Sequence, residues 1–413
     1  MDARSQSFSL PGRSRIRLSG AVLAAALIAT TTFSAHAGDR EQARRIHDRL
    51  AGVPPSEAVL GIMASQIRSG SAVQAAFTAM EDPAFYDVTL KNFAAPWTNE
   101  AMTPFVPLND YTATVIGLVK DDRDFREVLW ADVVYVGDTN LGLPAYSNVN
   151  NAHYETLERS SHSLQDALVR RTQSSLNGLP SDATAGVMTS RAASQAFFSA
   201  GTNRAMLRFT LVNHLCNDLE QLADVTLPVD RIRQDVSRSP GGDSRVFLNN
   251  CAGCHTGMDP MAQAFAYYEY EYDADADPDG NLGRLIYNTT EHPQTGTRVQ
   301  PKYLINATNF EHGYVTEDDG WDNYWRQGDN RRLGWDNMLP GHGEGAKSLG
   351  QELAHSQAFA ECQVSKVFRQ VCLRDPVDSS DRNQLSTMVS SFQSSNYQLR
   401  QVFAESAAYC MGD

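Results

Sequence analysis

Apolar residues recur every three to four positions along most of this chain, a spacing that predicts helices. Residues 39–135 read this way. Asp39 to Leu50 is charged and amphipathic, Val53-Pro54-Pro55-Ser56-Glu57 opens a second helix, Ser71 to Met80 supplies a third, and Asp82-Pro83 marks a break. Asp110 to Val119 continues the pattern, and Asp124 to Val134 does so with Phe125, Val128, Leu129 and Ala131 on one face. Gly137 to Ser161 turns to Gly, Asn, Pro and Ser and reads as an extended surface segment. Thr184 to Cys216 predicts two helices, the second carrying Met206, Phe209, Leu211, Val212 and Leu215. A Pro- and Gly-containing connector, Thr226 to Arg245, follows. The tail returns to helical spacing at Val364, Val367, Phe368 and Val371, then at Leu385, Met388, Val389 and Phe392, and closes with Gln398 to Tyr409.

One apolar run falls outside this scheme. Arg4, Arg13, Arg15 and Arg17 precede a stretch from Leu18 to about Thr30, which ends at Ala35-His36-Ala37. That is the pattern of a secretory leader with an Ala-x-Ala cleavage site. No other run approaches the ~18 residues of a membrane span, so the expectation is a periplasmic protein without a span. The leader carries four arginines and one aspartate, and its removal takes the formal charge from −14 to −17. Such a surface disfavours nucleic acid and anionic lipid and favours a basic partner protein.

Export changes the meaning of the six cysteines, because an oxidising compartment allows disulfides. Cys251 and Cys254 belong to one short motif, leaving Cys216, Cys362, Cys372 and Cys410. Cys362 and Cys372 fall on one predicted helix, about 15 Å apart, beyond the ~7 Å a disulfide spans. They therefore need different partners. In an up-down-up tail Cys372 and Cys410 share an end, which favours Cys372–Cys410 and Cys216–Cys362.

The motif itself is Cys251-Ala252-Gly253-Cys254-His255, the pattern of covalent c-type haem attachment. Two thiols one helical turn apart reach the two vinyl groups of a porphyrin, and the next residue, His255, lies beneath the iron. No second Cys-x-x-Cys or His-x-x-x-His completes a zinc tetrahedron. Phe247, Leu248 and Phe265 are the apolar candidates to shield the ring, and His255 is expected to donate its Nδ1–H to a backbone carbonyl. Met258 and Met261 are too close in the chain to cross the ring plane, so Met338, 83 residues beyond His255 in Asp336-Asn337-Met338-Leu339-Pro340-Gly341, is the favoured sixth iron ligand. His342, His292, His312 or an open position are the alternatives.

Several stretches around the motif resemble the planctomycete-type cytochrome-associated families, exported proteins with one Cys-x-x-Cys-His box among domains of unknown function. The resemblance lies in Ala185-Gly186-Val187-Met188-Thr189-Ser190, Thr202-Asn203-Arg204, Val212 to Cys216, Met258-Asp259-Pro260, Phe265 to Glu269 and the tail from Phe359, with Asp122 to Asp132 upstream. It implies a haem protein of electron-transfer type and says little about substrate. After Glu269 the chain departs from that pattern with an acidic insert. There Asp275, Asp277 and Asp279 followed by Gly280 match the start of a calcium loop, but Ile286 stands where the bidentate Glu belongs. A solvated loop is the competing reading.

Together these features predict a mostly α, multidomain helical protein: a leader over 1–37, a helical region over 38–136, a helical domain with a long loop over 137–245, a haem module with an irregular insert over 246–345, and a C-terminal three-helix domain over 346–413. The expected function is one-electron transfer by a periplasmic mono-haem c-type cytochrome with a redox partner protein. The alternatives are a haem peroxidase or oxidase with an open distal site, where His312 or His342 would handle protons, and a haem-stabilised module that binds a protein or polysaccharide. The sequence offers no Gly-x-Ser-x-Gly elbow, and Gly341-His342-Gly343-Glu344-Gly345 lacks the Lys-Ser/Thr ending of a phosphate loop.

Overall fold

Helical periodicity becomes helix over most of the chain. A computed structural model describes residues 38–412; the leader over 1–37 lies outside the described residues. These contain seventeen α-helices and three two-stranded antiparallel sheets, so the protein is mostly helical. Ser56 and Asn109 cap their helices by accepting from the amides of Val59 and Thr112, and left-handed Gly52 ends the first helix.

The two ends of the chain build one layer. Asp39–Ala51, Glu57–Arg68 and Ala72–Ala79 pack on one another and against the last helix, Leu399–Tyr409. Gln42 donates to the Gly412 carbonyl at 2.6 Å, tying the first described helix to the C-terminus. Asp110–Lys120 is the central helix, buried on every side except at Lys120. Gly117 lies on it because the Tyr135 ring crosses there; an added Cβ would sit 2.1 Å from that ring.

Leu50, Phe125, Phe198, Phe265, Trp325 and Phe368, drawn from all four predicted mature segments, join one principal hydrophobic cluster. The described residues form one compact unit. Two local expectations are corrected. The helix predicted to reach Val134 ends at Trp130, and Val134–Gly137 is a strand paired with Leu168–Arg171, as suits its β-branched and aromatic residues. The segment predicted as extended over 137–161 contains the helix Ala152–Arg159, whose His153, Tyr154 and Leu157 are buried.

The tail is the expected up-down-up set, Gln357–Cys372, Ser379–Ser394 and Leu399–Tyr409. Cys216 pairs with Cys362 and Cys372 with Cys410, at Cα separations of 5.2 and 5.5 Å, as predicted. The first bond ties residue 216 to the tail across 146 residues of chain, and the second closes the final hairpin across 38. Cys372→Ser together with Cys410→Ser is expected to lower unfolding free energy by about 2–4 kcal/mol in urea titrations. No helix among the described residues is long and apolar enough to cross a membrane.

Candidate functional site

The Cys-x-x-Cys-His motif straddles the junction of two helical geometries. Phe247–Cys251 is a turn of π-helix that runs directly into the α-helix Ala252–Ala262. On such a helix, positions four apart share a face. Gly253 and Gly257 occupy the inward face, where a side chain would collide: a Cβ on Gly253 would lie 3.2 Å from the Ala223 Cβ, and one on Gly257 would lie 2.0 Å from the Trp325 indole Nε1. The Asp224 amide donates to the Gly253 carbonyl at 2.9 Å, and the Thr256 hydroxyl donates to the Asp224 carbonyl at 2.8 Å. The glycines thus let the helix sink against residues 223–224 and Trp325, which directs Cys251, Cys254 and His255 toward the surface.

All three reactive side chains are half-buried. Cys251 and Cys254 are the two unpaired cysteines among the described residues. Burial is the main cause that pushes the Cys254 thiol up, with the carboxylates of Glu220 and Asp218 adding to it, so it stays protonated at neutral pH. Among the described residues no three His, Cys, Asp or Glu side chains converge so as to hold a metal ion. The insert residues Asp275, Asp277 and Asp279 show no such convergence either. Asp277 accepts from the Leu282 amide at 2.6 Å, and the Asp279 carbonyl accepts from Gln195. Arg191 pins the same loop through the Asn281 and Gly283 carbonyls.

His255 departs from expectation in its partner. Its Nδ1 lies 3.0 Å from Oδ1 of Asp259, a carboxylate rather than a backbone carbonyl. The two residues are four apart on one helix, so their side chains meet on one face. Asp259 is fully buried and Arg204 grips it at both oxygens, with Nε at 2.6 Å and Nη2 at 3.0 Å. The Arg233 amide adds a fourth donor at 3.2 Å. Burial alone would raise the Asp259 carboxyl, but the Arg204 charge and the hydrogen bonds from His255 and Arg204 outweigh it and hold the group below the usual carboxylate range. Arg204 also bonds Asp235 at 2.5 and 2.9 Å. Asn203, buried and left-handed at φ 61°, sets the start of that arginine's helix and donates to the Phe265 and Tyr268 carbonyls.

The residues expected to shield a porphyrin divide three ways. Phe247 is buried against Ile232 and Ala252 beside Cys251. Leu248 is 56% exposed on the same turn. Phe265 is not part of this face; it lies in the main core between Phe198 and Tyr268. Val225 packs by the motif helix, within 3.3 Å of a Cβ on Gly253, and is nevertheless largely exposed. An apolar rim around two thiols and an imidazole suits a flat apolar ring.

The candidate sixth ligands are mostly solvent-exposed. Met338 projects from the turn after Trp335 with 89% exposure, and its amide caps on the Asp336 carboxylate. His342 and His312 are exposed and His292 is partly buried in its own loop, where its Nδ1 accepts from the Gln294 amide. No family model, curated protein or solved structure matches the chain.

Proposed function

We propose that the motif carries one covalently attached haem c and that the protein transfers single electrons in the periplasm. The observation that carries this reading is the pairing of cysteines. Four of six are committed to disulfides, whereas the two in Cys-x-x-Cys-His are left unpaired on a half-exposed helix beside an imidazole whose Nδ1 is already engaged. Cys251 and Cys254 would hold the ring through thioether bonds, and Nε2 of His255 would be the nitrogen left for the iron. When bound, haem supplies a reversible ferric/ferrous couple. The chain's own contributions are to fix the His255 ring through Asp259, to hold its Nδ1–H donating to that carboxylate, and to shed water with Phe247, Leu248 and Val225. The acidic mature chain supports a basic redox partner.

A haem peroxidase or oxidase with an open distal site is the second reading, supported by the solvent position of Met338. A redox-resolved optical spectrum of the exported protein tests both. The expected result is haem that survives acid–acetone extraction, is lost in Cys251→Ala/Cys254→Ala, and shows a low-spin spectrum. Haem removed by extraction, or none, would overturn the attachment. If Met338 is the sixth ligand, Met338→Ala abolishes the Met–iron charge-transfer band; rapid cyanide or carbon monoxide binding by the unaltered protein favours the open site instead.

A further inference from the structure

Far from the haem motif in sequence, the structure leaves one buried carboxylate without an explanation. Asp319 is 7% exposed, and among the described residues no other residue donates a hydrogen bond to its carboxylate, which has only its own backbone amide as a donor. It lines a surface cavity of about 410 Å³ together with Asp182, Glu344, Arg298, Tyr287 and Pro180. The fold brings these together from separate loops. The Gly345 amide donates to the Asp319 carbonyl at 3.1 Å, and glycine suits position 345 because its φ of 67° is left-handed.

The cavity holds more negative charge than it can neutralise. Three carboxylates face one guanidinium, and Arg298 is already committed: Nε donates to the Asn288 carbonyl at 2.9 Å, Nη2 donates to the Tyr287 hydroxyl at 2.8 Å, and the group stacks 4.1 Å over the Tyr267 ring. Lys347, three residues past Glu344, donates to the Ser181 carbonyl. Keeping a carboxylate charged at this depth is costly, and a bound cation offsets that cost. The carboxylates do not converge as ligands of a metal ion do. An ammonium or guanidinium group suits them better, since its several N–H donors point in different directions and its carbon chain can lie on Pro180 and Tyr287.

We infer that the cavity bounded by Asp182, Asp319 and Glu344 binds an alkylammonium or alkylguanidinium group, from a free amine or from a basic side chain of a protein. The state of Asp319 gives a signature. Burial is the largest cause that pushes its carboxyl up to about 6, and Glu344 and Asp318 add to this against the pull of Arg298. Its folded value lies above its ordinary one, so the unliganded protein carries this cost fully above about pH 6 and is relieved of it as pH falls toward 4. The titratable and charged groups around it are Asp182, Asp318, Glu344, Tyr267, Tyr268, Tyr287 and Arg298.

Calorimetry on the mature full-length protein at pH 8, with n-butylammonium and separately with N-acetyl-lysine amide, tests the site. Saturable binding is expected, weakened at least tenfold by Asp319→Asn and also weakened at pH 5. Tighter binding of the lysine amide identifies a protein side chain as the source, and equal binding identifies a free amine. Asp319→Asn should raise the unliganded melting temperature at pH 8 and leave it unchanged near pH 4, which shows the variant folded. The inference is overturned if neither probe binds, if Asp319→Asn binds both as well as the unaltered protein does, or if calcium binds and the amines do not.

Discussion

Arg204→Ala is expected to destabilise the protein by about 3–5 kcal/mol at neutral pH, measured by urea unfolding of the mature chain. The substitution removes the cation between two carboxylates, Asp259 at 0% and Asp235 at 10% side-chain exposure, and leaves Asp259 with no guanidinium on it and Asp235 with only Arg233, at 3.7 Å. Their mutual attraction to Arg204 now outweighs desolvation: burial would lower the guanidinium, but Asp259 and Asp235 hold it above its ordinary range. The sign of the pH dependence follows. Asp259 has a folded value below its unfolded one, so its contribution is complete above about pH 4 and disappears as pH falls through the folded value. The difference between Arg204→Ala and the unaltered protein should therefore shrink in acid. A difference under 1 kcal/mol at pH 7 would mean that water replaces the arginine and that the network is not a structural clamp.

Asp259→Asn is expected to leave haem attachment intact and raise the midpoint potential by about 60 mV, a tenfold shift toward the reduced state for one electron. The reasoning concerns the acceptor opposite Nδ1–H. An ionised carboxylate draws that proton, makes the imidazole a stronger donor through Nε2 and favours the more positive oxidation state of the iron. Asparagine preserves shape and an acceptor oxygen but lacks the charge, while Arg204 keeps its own. Spectroelectrochemistry reads the outcome directly, and haem absorbance per protein shows whether attachment survived. An unchanged potential with full haem content would reduce Asp259 to a packing role. Absence of haem from the unaltered protein would instead defeat the proposed function itself.

The parts of this architecture legible in the sequence were those governed by local rules. Helical spacing announced the three tail helices, and the length of one helix was enough to forbid Cys362–Cys372; two pairings stayed open, and an up-down-up tail favoured the observed one. The Cys-x-x-Cys-His motif needed five consecutive residues. The partner of His255 was also within reach, since Asp259 stands four residues on in a stretch that reads as helix. It was passed over because an expected carbonyl satisfied the same nitrogen. The role of Arg204 was not legible, although Thr202-Asn203-Arg204 stood out. Nothing local says that an arginine 55 residues before an aspartate will close on it. The same holds for Trp325 against Gly257, for the helix hidden in the Asn- and Gly-rich segment before Ser161, and for Asp319.

By itself the sequence determined the helical character of the chain, the exclusion of a Cys362–Cys372 bond, and the three residues that present two thiols and an imidazole on one face. Each depends on geometry within a few turns of backbone. Only the tertiary structure decided what surrounds those groups: a buried aspartate clamped by Arg204 behind His255, a Met338 left in solvent, and an unneutralised carboxylate in a cavity. Charge and solvent access are long-range properties. They depend on which distant segments exclude water from a site, and chain spacing does not encode that.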